Sequence, residues 1–572
     1  MDNTNFVTAV VLSVLILVGF HFMYEKPMLE REQHLAALEK KEQEIKAQPA
    51  APVVAQPPRE RQVVVAETKR VRIETPELRG SINLKGARLD DLELVKYHET
   101  VDPASPEIVL LSPAGSEAPN APYYTSLGWL SSTAGLALPT DQTEWKAEDG
   151  VLSVDKPVRL TWDNGQGLTF ERTISLDENF MFSFTDRVKN TGSDTATLYP
   201  YGSITRQGMP RTDGTYVLHE GPIGALGGAL KEYKYKTLAE DKKIAIESDG
   251  GWLGITDKYW LVSLIPSKDE KILAGFSFEH EGDEAEKERG TYQVDFRGTP
   301  VSLAPGASSE RTVRLFAGAK RVSLLDDYEK KYDITLFDRA IDFGWYYFLT
   351  KPFLYLLDFL NSKTGNMGIA IVLFTIALKL LTLPLSLKSS RSMAKMRTIQ
   401  PEMKKLQERF KDDRNKLGIE TMELYKRENI HPMSGCFPIL IQIPIFFALY
   451  KVLYVGIEMR HAPLFAWIKD MSAPDPTSVL TFFGAVDFSL IPHIGVWPIL
   501  MGISMFVQQK MTPQPTTDNS QAQFLQWLPL IFTFMMGNVA VGLIFYWTVS
   551  NLLGIIQQWY INKKVFGAAG VK

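Results

Sequence analysis

The sequence predicts a polytopic α-helical membrane protein with six spans, carrying a large all-β sandwich outside the membrane and a helical hairpin between two spans. Three observations lead there. Apolar residues crowd into long blocks after Gly365, although the mean hydropathy of the whole chain is only -0.08. From about Gln62 to Leu325 the pattern instead alternates with period two, the repeat of half-buried strands. The chain also opens on "FVTAVVLSVLILVGFHFMY", Phe6 to Tyr24, an uncharged run whose ~19 residues just cross a hydrocarbon core of ~30 Å.

That first run leads through Glu25-Lys26-Pro27 into charged sequence without a small-residue cleavage site, so residues 1–24 read as an uncleaved signal anchor. Residues 25–61 follow as a charged helix and a Pro/Ala linker, "AQPAAPVVAQPP". Residues 62–325 hold strand-like runs such as "VRLTWDNGQGLTFERTISL", broken by the turn signals Asn164-Gly165 and Asn190-Thr191-Gly192. Their number predicts an antiparallel sandwich. Residues 326–364 read as an amphipathic helix lying on the membrane. Leu336, Phe337, Ala340, Ile341, Gly344 and Tyr347 share one face, and Trp345-Tyr346-Tyr347 marks a headgroup boundary. A core helix of the β domain is the alternative.

Residues 365–572 form the five-span part. Its apolar blocks run at about 367–387, 435–457, 494–508, 524–537 and 541–561, some of them short, with Pro438, Pro444 and Pro498 interrupting two. The segment 388–432 between the first two blocks holds twelve Lys/Arg against seven Asp/Glu, which places it in the cytoplasm. Acids outnumber bases from Glu458 to His493, so that loop lies outside. Both termini are then cytoplasmic and the β domain is external.

The net charge of -4 gives no support for a nucleic-acid partner, DNA included, and the single cysteine, Cys436, excludes an intramolecular disulfide. The sequence has no Cys/His metal cluster, phosphate-binding glycine loop or nucleophile elbow, so no enzyme, cofactor or metal is expected. The candidate chemistry lies elsewhere. In "LFTIALKLLTLPL", Thr375, Lys379, Thr382 and Ser386 fall on one helical face. Tyr546, Ser550, Gly554 and Gln557 form a second seam on the last span, and Gln442 adds a polar group to the third. None of the five blocks holds an Asp or Glu to pair with Lys379. An unpaired cation in hydrocarbon costs ~3 kcal/mol or more. Snorkelling would explain the lysine alone, whereas polar seams on three spans favour a water-filled groove.

The 388–432 segment reads as an antiparallel hairpin. Met393, Met396, Ile399, Met403, Leu406 and Phe410 recur at helical spacing, and Asp412-Asp413-Arg414-Asn415 makes the turn. The methionines suit an adaptable surface for apolar partners, and equally suit packing of the two arms. The excess of bases could meet anionic lipid headgroups or ribosomal RNA.

"SMAKMRTIQPEMKKLQERFKDD", "LYKRENIHPMSGCFPILIQIPIFFALYKVL" and "GLIFYWTVSNLLGIIQQ" resemble the YidC membrane-protein insertase family in its long Gram-negative form, over about Tyr332 to Lys564. The anchor and the β domain match that form in order and size. The resemblance implies a non-enzymatic insertase and chaperone of the bacterial inner membrane, with a periplasmic β-supersandwich. Its partners would be nascent membrane proteins, the Sec translocon, the ribosome and lipids, with a monomer sufficient. It also implies substrate-facing roles for Thr375, Gln442 and Trp547, with Tyr546 beside Trp547. The groove cation of the family is typically arginine, and here that position is Lys379, five residues before Pro384. The rival classes are a solute transporter and an envelope carbohydrate-binding protein or enzyme acting through the β domain.

Overall fold

The computed structural model describes residues 58–563, apart from 134, 149, 211–217, 281–289, 345, 412, 429–436, 480–493, 512–518 and 562. The expected anchor at 1–24 and most of the 25–61 linker lie outside the described residues, as does Trp345. The described chain divides into two units: one up to Lys320 together with Leu324–Ala340, the other comprising Arg321–Ser323 and Ile341 onward.

The first unit is two antiparallel sheets. After a short helix α1 (Arg61–Ala66), strands β1 (Arg70–Glu74), β2 (Leu78–Asn83), β3 (Arg88–His98), β4 (Glu107–Leu111), β5 (Tyr123–Ser131), β6 (Lys146–Ala147), β7 (Val158–Asp163), β8 (Leu168–Leu176), β9 (Met181–Asn190), β10 (Ala196–Gln207), β11 (Gly221–Leu226) and β12 (Ala229–Glu232) lead to helix α2 (Tyr235–Asp241). Strands β13 (Lys243–Asp249), β14 (Trp252–Thr256), β15 (Trp260–Ile265), β16 (Lys271–Glu279), β17 (Thr291–Gly298), β18 (Val301–Leu303) and β19 (Ser308–Ala319) complete it. One sheet runs β1-β2-β3-β5-β10-β17-β16-β13, and the other β12-β11-β14-β15-β19-β9-β8-β7-β6. Period two is the reason. In β8, "LTFERTISL", every second residue from Leu168 is buried, which puts Phe170, Arg172 and Ile174 on the inner face. Asn164-Gly165 closes the β7–β8 hairpin, with Gly165 at φ +67 and its N–H donating to Asp163 Oδ1 at 2.8 Å. Arg172, inward among apolar neighbours, is answered by Asp186 through two hydrogen bonds of 2.6 and 2.7 Å.

Residues 326–364 are not one helix. Helix α3 (Val322–Tyr332) is followed by a 3-10 turn at Phe337–Ala340. Phe337 is fully buried against Trp252 and Phe316, at ring separations of 5.4 and 5.5 Å. This portion therefore packs into the β unit. Apolar exposure begins only with α4 (Tyr347–Thr364), which buries Leu354 and Leu357 while Phe348 is 73% exposed and Phe359 55%.

The second unit continues with α5 (Met367–Thr398), α6 (Gln400–Arg409), α7 (Arg414–Arg427), α8 (Phe437–Val455), α9 (Val496–Met511), α10 (Asn519–Met535) and α11 (Val541–Ile561). Among the described residues, one helical stretch is long and apolar enough to cross a membrane: Met367–Ser390, with mean hydropathy 2.2 and 28% of it buried. Two shorter apolar stretches are Ile441–Val455 and Gln526–Met535. Pro444 lies inside α8, whereas Pro438 and Pro498 sit in first turns, where a missing N–H costs no helical bond. α5, α8 and α11 pack against one another, α4 against α5 and α8, and α9 against α10 and α11.

Candidate functional site

Polar groups lie on α5, α8 and α11, three helices that pack against one another. α5 supplies Lys379, which is half-buried and forms neither an ion pair nor a side-chain hydrogen bond among the described residues. Its neighbours on the seam are quieter than their side-chain type suggests. Thr375 is fully buried and donates to Ile371 O at 2.6 Å, Thr382 donates to Leu378 O at 2.9 Å, and Ser386 to Thr382 O at 3.2 Å. These i−4 bonds satisfy each hydroxyl within its own helix. The seam is closed at Thr375 and half-open from Lys379 to Ser386.

α8 and α11 are joined by a hydrogen bond from Gln442 Nε2 to Tyr546 Oη at 3.1 Å. Tyr546 and Ser550 are buried and hydrogen-bonded to each other, while Gln442 and Trp547 are half-buried. The Trp547 ring lies between Phe446 at 4.7 Å and Phe532 at 5.3 Å. Gln442, Tyr546 and Ser550 are thus one network, next to an aromatic wall of three rings. One turn further along α11, Asn551 donates to Ser504 of α9 at 3.1 Å, both buried.

Sequence reading missed Lys451, a second cation in the 435–457 block. Its ammonium pairs with Asp342 at 2.8 Å, a carboxylate contributed from just before α4. The lysine was visible in "ALYKVL", but its partner lies 109 residues away. Asp475 is one of the acids of the 458–493 loop. It is fully buried and accepts from Thr477 N–H and Oγ1, Trp467 Nε1 and Trp497 N–H, so it caps α9.

In the 388–432 segment, α5 runs on to Thr398, and α6 and α7 form the hairpin. Asp413 caps α7, accepting from Lys416 N–H at 3.0 Å, while Asp412 lies outside the described residues. Met403 is buried with Ile399 and Leu424 and receives the Thr421 hydroxyl at 3.7 Å, so this methionine packs the arms together. The side chains of Met393 and Met396 lie outside the described set. A cleft of about 350 Å³ between the arms is lined by acids and bases alike, among them Glu402, Lys405, Arg409 and Glu423.

Asp326, Glu329 and Asp338 place carboxylate oxygens within 4.8 Å of one another. Glu329 accepts the Asp338 N–H at 3.2 Å and Arg339 lies 4.0 Å from Asp338, so the trio braces the chain internally.

A half-buried polar seam on the long apolar helix α5, and a Gln442–Tyr546–Ser550 network joining α8 and α11, stand on a chain that also carries a large antiparallel β domain; together they define a membrane-type helical protein with a large β domain. The YidC periplasmic domain model matches residues 70–356, and the 60Kd inner membrane protein model matches residues 359–568. The membrane protein insertase YidC of Methylobacterium radiotolerans is 46% identical over 98% of this chain and 95% of its own length. That of Brucella suis biovar 1 is 44% identical over 99% and 96%. A crystal structure of an active YidC insertase covers 86% of this chain, at 16% identity and a TM-score of 0.34. The chain belongs to the YidC family.

Proposed function

We propose that this protein is a membrane protein insertase and chaperone of the bacterial inner membrane, acting on nascent membrane proteins through the α5/α8/α11 cleft. The observation that carries the reading is 44–46% identity over nearly the full chain to named insertases, combined with a half-buried Lys379 that has no partner among the described residues. An ammonium without a protein partner must be hydrated, so water enters the cleft beside the apolar helices. A short polar or acidic segment of a client then rests against Lys379, Gln442 and Trp547, while the client's own helix partitions into lipid.

The fuller topology belongs to the same proposal. The 1–24 anchor and the five apolar blocks make six spans, with both termini and the 388–432 hairpin in the cytoplasm. The β domain, a supersandwich, faces the periplasm. α9 and α10, with 16 and 17 residues, are ~25 Å long, less than the ~30 Å core, so the bilayer thins around them. The hairpin, with Met393, Met396, Met403, Asp412 and Asp413, receives clients from the ribosome. Thr375, Thr382, Tyr546 and Ser550 shape the cleft walls. A monomer suffices, alone or beside the Sec translocon.

Reconstitution tests this. Vesicles containing the purified protein should protect the translocated tail of a single-span client from external protease well above empty vesicles. Equal protection in both removes the proposal.

A further inference from the structure

The loop between α8 and α9 carries a feature the cleft does not use. In "PLFAWIK", Leu464 and Ile468 are buried while Phe465 is 56% exposed and Trp467 41%. The turn is tight: Leu464 N–H donates to Ile468 O at 3.1 Å, and Ala466 sits at φ +56, a left-handed conformation that side chains disfavour. The strained turn thus holds two large aromatic rings at the surface, Phe465 seated edge-on against Trp497 and Phe545 at 5.9 Å with its outer half exposed. The indole N–H of Trp467 points back into the protein, donating to the buried Asp475 at 3.2 Å, so its exposed edge is entirely carbon. Two residues on, Lys469 is exposed and has no ion pair among the described residues.

The position of this turn says what covers it. Asn366 Nδ2 donates to Leu464 O at 3.1 Å, and Leu464 packs over Gly368, so the turn is clamped to the first residues of α5. The same helix end receives α4, whose last turns expose Phe359 with the Lys363 ammonium 5.7 Å from its ring. Two chain segments a hundred residues apart therefore bring exposed aromatics and lysines to one end of the long apolar helix. Aromatic rings with flanking cations are what the headgroup boundary of a bilayer accepts. We propose that Phe465, Trp467 and Lys469, beside Phe359 and Lys363, form a rigid anchor in the headgroup–acyl boundary of the outer leaflet and so set the depth of α5. The inference rests on α5 crossing the bilayer. Lys379 lies twelve residues from Met367, ~18 Å along the helix, so an anchor at that end holds the ammonium near the middle of a ~30 Å core.

The test is a nitroxide depth measurement on the full-length protein in phosphatidylethanolamine/phosphatidylglycerol nanodiscs, with Cys436→Ser removing the native thiol. A label at Phe465→Cys, which leaves the Trp467–Asp475 bond in place, should relax with dissolved oxygen and be shielded from an aqueous nickel chelate. A label at Lys469→Cys, at phosphate level, should be about equally accessible to both. A label at Leu381→Cys, on the exposed side of α5, reports on the underlying span. Leu381 in lipid with Phe465 in water overturns the anchor alone, whereas Leu381 in water overturns the span reading. A Phe465 label that leaves water only when a stalled client is added marks a client-binding surface and also overturns the anchor.

Discussion

Replacing Lys379 isolates the charge in the cleft. With no ion pair to Lys379 among the described residues, its ammonium is available to a client carboxylate in the proposed function, and its removal uncovers no partner charge among them. For an ammonium and a carboxylate about 5 Å apart at an effective dielectric of about 40, between protein surface and water, attraction is about 1.7 kcal/mol. That corresponds to roughly 20-fold in rate. Lys379→Ala should therefore slow insertion of a client with an acidic translocated tail by about that factor, and leave a neutral-tailed client unchanged. Lys379→Arg should retain the rate, and Lys379→Glu should fall further by a similar factor through repulsion. The assay is the initial rate of protease protection in reconstituted vesicles, repeated at high salt, where the difference should narrow. If Lys379→Ala inserts acidic tails at the unaltered rate, or slows neutral tails equally, the charge does not act by attraction.

Other expectations concern what holds the cleft in place. Asp475→Ala strands four donors, including the Trp467 indole and the α9 cap, and should cost about 3 kcal/mol, read as a lower unfolding temperature in detergent. Glu458, in the turn after α8, has Oε2 enclosed without a hydrogen-bond partner among the described residues. Burial, with Asp358 nearby, pushes its carboxyl up to about 7 against the opposing pull of Arg321. The folded chain thus holds this proton more tightly than the unfolded one, whose glutamate titrates near 4.5. Stability from this group is complete below that pH and is lost as pH rises to about 7, by up to roughly 3 kcal/mol. Glu458→Gln should flatten the loss of thermal stability between pH 5 and 8. In the hairpin, Leu424→Ala opens the small core with Ile399 and Met403 at about 2–3 kcal/mol, and amide exchange in α6 and α7 should accelerate while the β unit is unaffected.

The β unit was legible because each strand carries its own evidence. "LTFERTISL" alternates, its inner face is buried on that alternation, and Asn164-Gly165 makes the turn it signals. The 326–364 segment misled for the opposite reason. Helical spacing put Phe337 on an apolar face, but what it packs against, Trp252 and Phe316, comes from strands far away in sequence. The polar groups of the helical unit were half legible. Spacing identified the face of Lys379 and the polar groups Gln442 and Tyr546, which the fold joins at 3.1 Å. Spacing could not reveal that Thr375 and Thr382 spend their hydroxyls on their own backbone, because a threonine reads the same whether its proton points outward or to the carbonyl four residues back.

The two lysines within the apolar blocks, Lys379 and Lys451, bear on why lysine would suffice at position 379 under the proposed function. Lys451 has Asp342 at 2.8 Å and a glycine, Gly344, close beside its stem, so its charge is consumed in holding the segment before α4 to α8. A fixed pair of that kind is where the planar fork of arginine would gain a second hydrogen bond. Lys379 faces no carboxylate among the described residues, so no bidentate geometry exists for a guanidinium to exploit. Under the proposed function, a compact, strongly hydrated ammonium would keep water in the cleft and meet client carboxylates at varied positions without a preferred approach. Client segments differ in where their acids fall. A point charge on a flexible stem serves that variety, and the predicted tolerance of Lys379→Arg reflects that only the charge is required.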